Sequence, residues 1–344
     1  MEQIKKLLAW ICAVLFVGSG ISALVFFNVE RTAFDSTTYK QAFEQQSLYV
    51  RIPKILGDSL HTYIAEDANF PAYLKALTAD DWTATITSLL PADELKALTD
   101  NTLDAVFDYL NGKTDSVVIS VVPFKNHLAG NSGIEIVKQI LNSQPACTAE
   151  QLMQIGLGLI SGKDLMLCKP PDEFMNLINP LIESQIQFMT GTFPDQVTLV
   201  SDAQSHTPDD PRIKLNRARA LMKITPVFPL LFLFCLTILA IRSLMDWLKW
   251  WGYPFLITGA GSLFFALIGS PVLGFVIRTV IQRQGPRYLP QNLISALGET
   301  VSAVSSQILK PVAVEGAVLM FVGFIMVIVA LVITNRSRLK LQSK

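Results

Sequence analysis

Few residues of this chain have the type and spacing to do chemistry, and the clearest are two cysteines. Cys147 and Cys168 stand alone in the long stretch between the first two apolar runs, whereas Cys12 and Cys235 fall inside those runs. A pair left by itself in a domain moved out of the cytoplasm reads as a disulfide, because such bonds persist in oxidising compartments. Closing a loop of about 20 residues contributes about 3 kcal/mol in the chain-entropy model. The alternative is two unrelated buried thiols in a cytosolic domain.

A second feature is the segment Arg212 to Lys223, which carries Arg212, Lys214, Arg217, Arg219 and Lys223 directly ahead of an apolar run. Each Lys or Arg near an anionic surface adds about 1 kcal/mol to binding. These five are therefore candidate contacts for anionic lipid head groups or an acidic partner. The competing reading is a solvated face on a helix that continues rigidly into the next span. Catalytic chemistry finds no comparable footing. His61, His127 and His206 are scattered without a second ligand at helical or turn spacing, so no zinc site is expected. Asp80-Asp81 fits a helix start and Asp209-Asp210 a turn, and neither shows the alternation and glycine of a calcium loop. There is no nucleophile elbow, dinucleotide fingerprint or phosphate loop. No catalytic residue, metal or cofactor is expected, and the chain is not expected to be an enzyme. With Lys+Arg and Asp+Glu equal at 28 each, it also lacks the basic footprint of a nucleic-acid binder.

What must position these residues is a membrane. Only 16% of the 344 residues are charged and 51% are hydrophobic, whereas soluble domains run nearer 25% charged. Leu7 to Phe27 is an apolar run without a charge, long enough to cross a hydrocarbon core of about 30 Å. A cleaved signal peptide would use Gly20 or Ala23, but LVFF prolongs the run beyond the 7–15 or so apolar residues of a secretory signal, which favours an uncleaved signal anchor. The expected fold is mainly α: a multi-pass protein with four transmembrane helices and a large α-rich extracytoplasmic domain holding at most a small sheet. The divisions are 1–6 cytoplasmic, 7–27 first span, 28–223 extracytoplasmic domain, 224–241 second span and 242–252 cytoplasmic turn. Then come 253–277 third span, 278–311 an external loop with an amphipathic helix, 312–334 fourth span, and 335–344 a basic cytoplasmic tail.

Within the large domain, the pattern from Asp35 gives a helix ended by Pro53, then a short helix through Leu60. Thr78-Ala-Asp-Asp81 has capping-box spacing, and Leu95 to Leu110 mark one helical face. Ser116 to Val122 reads as a buried strand and Gln196 to Val200 as a second strand pairing with it. A helix between the two cysteines ends near Gly162, and another from Asp172 is kinked or broken at Pro180. In the loop 278–311, Leu293, Leu297, Val301, Val304 and Ile308 form one stripe.

Lys5, Lys6, Arg242, Lys249 and the tail's Arg336, Arg338, Lys340 and Lys344 would share one side in short segments, which the positive-inside rule makes cytoplasmic. The Lys and Arg of 212–223, with Arg278, Arg283, Arg287 and Lys310, fall on the other side, but long domains translocate largely regardless of charge. Both termini are thus expected in the cytoplasm. Trp10, Trp247, Trp250 and Trp251 fall at a single interface. The spans have no ionisable group at depth, unlike carriers coupled to ions. They have packing surface instead: Gly18 and Ser22 on the first; Ser262, Ala266, Ser270 and Gly274 every four residues on the third; Gly316 and Gly323 seven apart on the fourth. A lined pore is the alternative use of these positions.

These features imply a non-enzymatic, membrane-anchored binding or assembly module, with the lipid bilayer and a protein partner or second copy as its contacts. The alternative is a subunit of a transport system. One span, a large external domain and three further spans resembles the layout of permeases of the FtsX/MacB type, in topology and not in motif. That resemblance would imply an ATPase partner, but those permeases have a longer coupling segment where this chain has only Arg242 to Gly252.

Overall fold

The structure, a computed structural model, describes residues 2–66, 70, 72–151, 168–201, 210–284 and 291–342. The helix expected between the cysteines, His206, Asp209 and the break at 285–290 lie outside them. The uncharged run from Leu7 forms the middle of α1 (Glu2–Ala33), which passes beyond its apolar part into the large domain, called here the head. There follow α2 (Ser36–Gln45), α3 (Leu48–Glu66), α4 (Ala72–Lys75), α5 (Ala79–Leu89) and α6 (Ala92–Leu110). Then come β1 (Val117–Ser120), α7 (Val122–Ala129), α8 (Asn131–Asn142), α9 (Asp172–Thr192) and β2 (Gln196–Val200). The chain returns through α10 (Pro211–Ile224) into α11 (Val227–Ala240), α12 (Leu244–Gln284) and α13 (Gln291–Gln342). Among the described residues, four helical segments are long and apolar enough to cross a bilayer: Gln3–Ala33, Arg212–Ala240, Leu244–Arg283 and Asn292–Asn335. The fold is mainly helical with one small sheet, and it is that of a membrane protein.

Several local expectations meet their cause here. Thr78 and Asp81 form a reciprocal capping box at the start of α5. β1 and β2 pair antiparallel, with a register shift between Val117 and Val118. The helix expected from Asp35 to Pro53 instead breaks at 46–47, where Ser47 takes a positive φ of 49°. That turn sets buried Tyr49 edge-on to Phe43, at 6.4 Å between ring centroids, and Pro53 is carried inside α3. Pro180 likewise lies within α9 without ending it. Helix α7 had no periodic signal; its Pro123 stands at the first turn, where a missing N–H costs nothing.

The membrane part differs from expectation in length. The turn expected over 242–252 shrinks to 241–243, because the Ser243 hydroxyl accepts from the Asp246 N–H (3.1 Å) and starts α12 at once. The loop helix and the fourth span are one continuous helix, α13. At 1.5 Å per residue, α12 and α13 measure about 60 and 78 Å, twice a hydrocarbon core or more. The surplus of α13 stands against the head, where Arg51 pairs with Glu299 (2.8 Å) and the Gln307 amide donates to Gln45 (2.6 Å), while α12 follows α13 outward, Ser270 donating to the Ser302 carbonyl (2.7 Å). With the head on one side and α12 on the other, α13 buries Ile294, Ala296, Ser305 and Leu309. Leu297 of the expected stripe is left exposed.

Candidate functional site

Two places gather the chain's notable residues: the junction where the head meets the spans, and an uncovered apolar face on the head. The junction is built by α10, whose start is capped by the Asp210 carboxylate accepting from the Arg212 N–H (2.8 Å). The structure divides the five cations of this helix. Arg212 is buried, pairs with Asp210 (2.9 Å) and Asp115 (3.2 Å), and lies 4.4 Å above the Tyr109 ring. Arg219 donates through Nε and Nη2 to Glu30 (3.1 and 3.0 Å), through Nη1 to Asn111 (2.7 Å), and stacks over Phe34. Lys223 reaches the same Glu30 oxygen at 3.4 Å while staying mostly exposed. Lys214 and Arg217 are exposed. Arg212 and Arg219 thus fasten α10 to α1 and the head, and the outward cations are Lys214, Arg217 and Lys223. Their acceptors Glu30 and Asp115 are distant in sequence, so spacing could not have shown the division. On the other side of α1, buried Asn28 donates to Glu315 (2.7 Å), which ties α1 to α13 at the same level.

The helix seams fall into used and unused sets. Ser262, Ala266 and Ser270 are buried, and Gly274 abuts Gly298 and Ser302. Gly316 and Gly323 face Gly259 and Gly252, so that α12 and α13 touch through their backbones: a Cβ on Gly316 would lie 3.0 Å from the Leu263 nitrogen. Gly252 and Gly259 were missed as seam residues, although their seven-residue step, continued at Ala266, matches that of Gly316 and Gly323. Gly18 meets no side chain and Ser22 is exposed, its hydroxyl donating to the Gly18 carbonyl (2.9 Å). Helix α1 approaches α12 through Gly20 instead. Trp10 and Trp250 meet edge to face at 5.8 Å, with Trp247 and Trp251 beside them, so the four tryptophans do share one end of the bundle.

In the head, Cys147 and Cys168 form a disulfide beside a single bridge between Ala146 and Lys169. His127 is satisfied structurally, with Nε2 near the Ser88 carbonyl (2.8 Å) and Nδ1 near Glu94 (3.0 Å). Among the described residues no cluster of metal-ligating side chains occurs. The uncovered face was not foreseen. Helix α9 sets Ile186 against Gly133 of α8 and buries Thr190, and leaves Phe188 69% exposed beside exposed Met189. Phe193, 52% exposed, follows α9, and Val197 and Leu199 on β2 are exposed as well. Lys125 holds the start of β2 through Asp195 (2.7 Å) and the Phe193 carbonyl. Among the described residues β2 pairs along one edge only. The period-two pattern of Val197 and Leu199 was the available signal; it marks an apolar strand face without saying whether the head covers it.

Comparison with protein-family models, with curated proteins and with solved structures finds no match.

Proposed function

We propose that the protein is a non-enzymatic, membrane-anchored docking module whose head lies outside the cytoplasm and receives a protein partner. The observation that carries this reading is the group of exposed apolar side chains Phe188, Met189, Phe193, Val197 and Leu199, together with the edge of β2 that is unpaired among the described residues. Such a surface suits strand addition, in which main-chain bonds to a free edge supply affinity and neighbouring apolar side chains supply selectivity. Contiguous exposed apolar groups rimmed by polar ones are a usual mark of interaction sites. The disulfide supports an oxidising side for the head, and the short basic segments at the other end of the spans support cytoplasmic termini. A transport-subunit reading gains no support from the three-residue link at 241–243, which leaves little for an ATPase to grip.

The test is site-specific photocrosslinking in native membranes with the cross-linker at position 188 or 199. A discrete protein adduct that disappears on Phe193→Asp is expected. A folded, membrane-inserted chain that yields no adduct from either position would sink the proposal.

A further inference from the structure

Beside the junction, a cavity of about 510 Å³ opens between α1 and α11, with α12 and α13 behind it. It sits next to the interruption at 225–226, where Pro226, lacking an N–H, separates α10 from α11. Phe16, Ala23 and Phe27 form one wall, and Pro229 and Leu230 the facing one. Among the described residues only two polar side chains line it, Lys223 and Thr258.

Lys223 sits about where the spans meet the head, level with the Glu30 cluster. That cluster holds Arg219 and Lys223 against the single carboxylate of Glu30, an excess of one positive charge. Arg31 adds a second outward cation, its guanidinium 5.8 Å above the Phe27 ring that borders the cavity. Thr258 lies deeper, opposite Gly20, about 10 Å along the helix from Phe27. It is 1% exposed and, among the described residues, its hydroxyl has no hydrogen-bond partner. Helical threonines commonly donate to their own backbone, as Thr237 does to Leu233. Glu315 lines a smaller neighbouring cavity on the far side of Leu24, where Asn28 engages it.

We infer that this cavity is a binding site for one anionic phospholipid. Its phosphate rests between Lys223 and Arg31, and an acyl chain fills the apolar walls down to the level of Thr258. The order of groups from mouth to floor, cation and then apolar wall, is the order of an anionic glycerophospholipid entering from its own leaflet. The occupant is independent of the face on α9 and β2, so each can fail without the other.

The experiment uses the full chain purified in mild detergent, with phosphatidylglycerol or phosphatidylcholine of identical chains added and the bound lipid counted by native mass spectrometry. One phosphatidylglycerol is expected to be retained in preference to phosphatidylcholine. Lys223→Gln should lower that preference about fivefold, the effect of one basic side chain at an anionic surface. Leu230→Trp, which points bulk into the cavity from an exposed position, should abolish retention of either lipid. A photoreactive acyl chain should label residues 23–27 and 229–230 above the outward-facing Phe264 and Phe321. Equal retention of the two lipids, labelling no stronger at the cavity than at Phe264 and Phe321, or a peptide or second copy cross-linked through Leu230 would overturn the assignment.

Discussion

The hairpin of α12 and α13 and the end of the head formed by α9 and β2 solve opposite problems. In the hairpin, surrounding lipid offers no hydrophobic drive for helices to associate, so contact depends on how closely backbones approach. Gly252, Gly259, Gly316 and Gly323 supply that approach, and large apolar side chains such as Phe264 and Phe321 are turned outward. In the head the drive is burial from water, and α9 and β2 forgo it, leaving Phe188 and Phe193 uncovered. Outward phenylalanine is thus ordinary in one region and exceptional in the other, and the solvent alone makes the difference. The hairpin is finished by its own contacts; the face of the head is not.

That contrast can be broken where it is sharpest. A Cβ on Gly259 would overlap the backbone of Met320, so Gly259→Leu should force the hairpin apart at a cost of about 3 kcal/mol. Gly18→Leu, on the open face of α1, should change stability by less than about 0.5 kcal/mol. Thermal unfolding in detergent of the two variants side by side checks both, and similar losses would show that the seam is not where the glycines place it. Next in size, Cys147→Ser with Cys168→Ser should destabilise the head by about 3 kcal/mol or less and leave the hairpin intact. Hydrogen exchange resolved by segment reads this, with faster exchange expected in α8 and α9 and none in α12.

The smallest effects sharpen the head's reliance on polar contacts. Burial, and then the bond it donates to Asp100 (3.1 Å), push the Tyr49 phenol up to about 12. A folded value above the ordinary 10 means that this stabilisation is complete below pH 10 and is lost as the pH rises towards 12. At the other end, bonds from Lys40 and then Ser36 (2.7 Å each) hold Asp104 below its ordinary range. Its contribution is therefore complete above about pH 4 and is lost as the pH falls through the depressed value. Unfolding curves against pH should show both windows in the head. Tyr49→Phe should shrink the alkaline one, leaving the part due to Tyr39, whose phenol is also pushed up by burial, and an unchanged alkaline limb in that variant would refute the assignment.

What could be read in the sequence was local or periodic. The four apolar runs, the capping box at Thr78, the strand at 196–200 and the pairing of Cys147 with Cys168 each depend on neighbours or on elimination. The junction was hidden because Glu30 and Arg219 are brought together only by the returning chain. Gly18 and Ser22 had the right spacing for a seam, yet Gly20, one residue pair away on the helix, took the contact because Thr258 stands opposite it. Spacing names faces that can pack; it does not choose the one that does.

Helix α13 touches the head at Glu299 and Gln307 and runs on, through Pro311, to the end of the bundle where the tryptophans gather. A rod of this kind makes the two membrane surfaces mechanically one: tilt imposed at its upper end must reappear as tilt at the lower. On the proposed reading, a partner seated on the head would then be felt at the tryptophan end of the same helix.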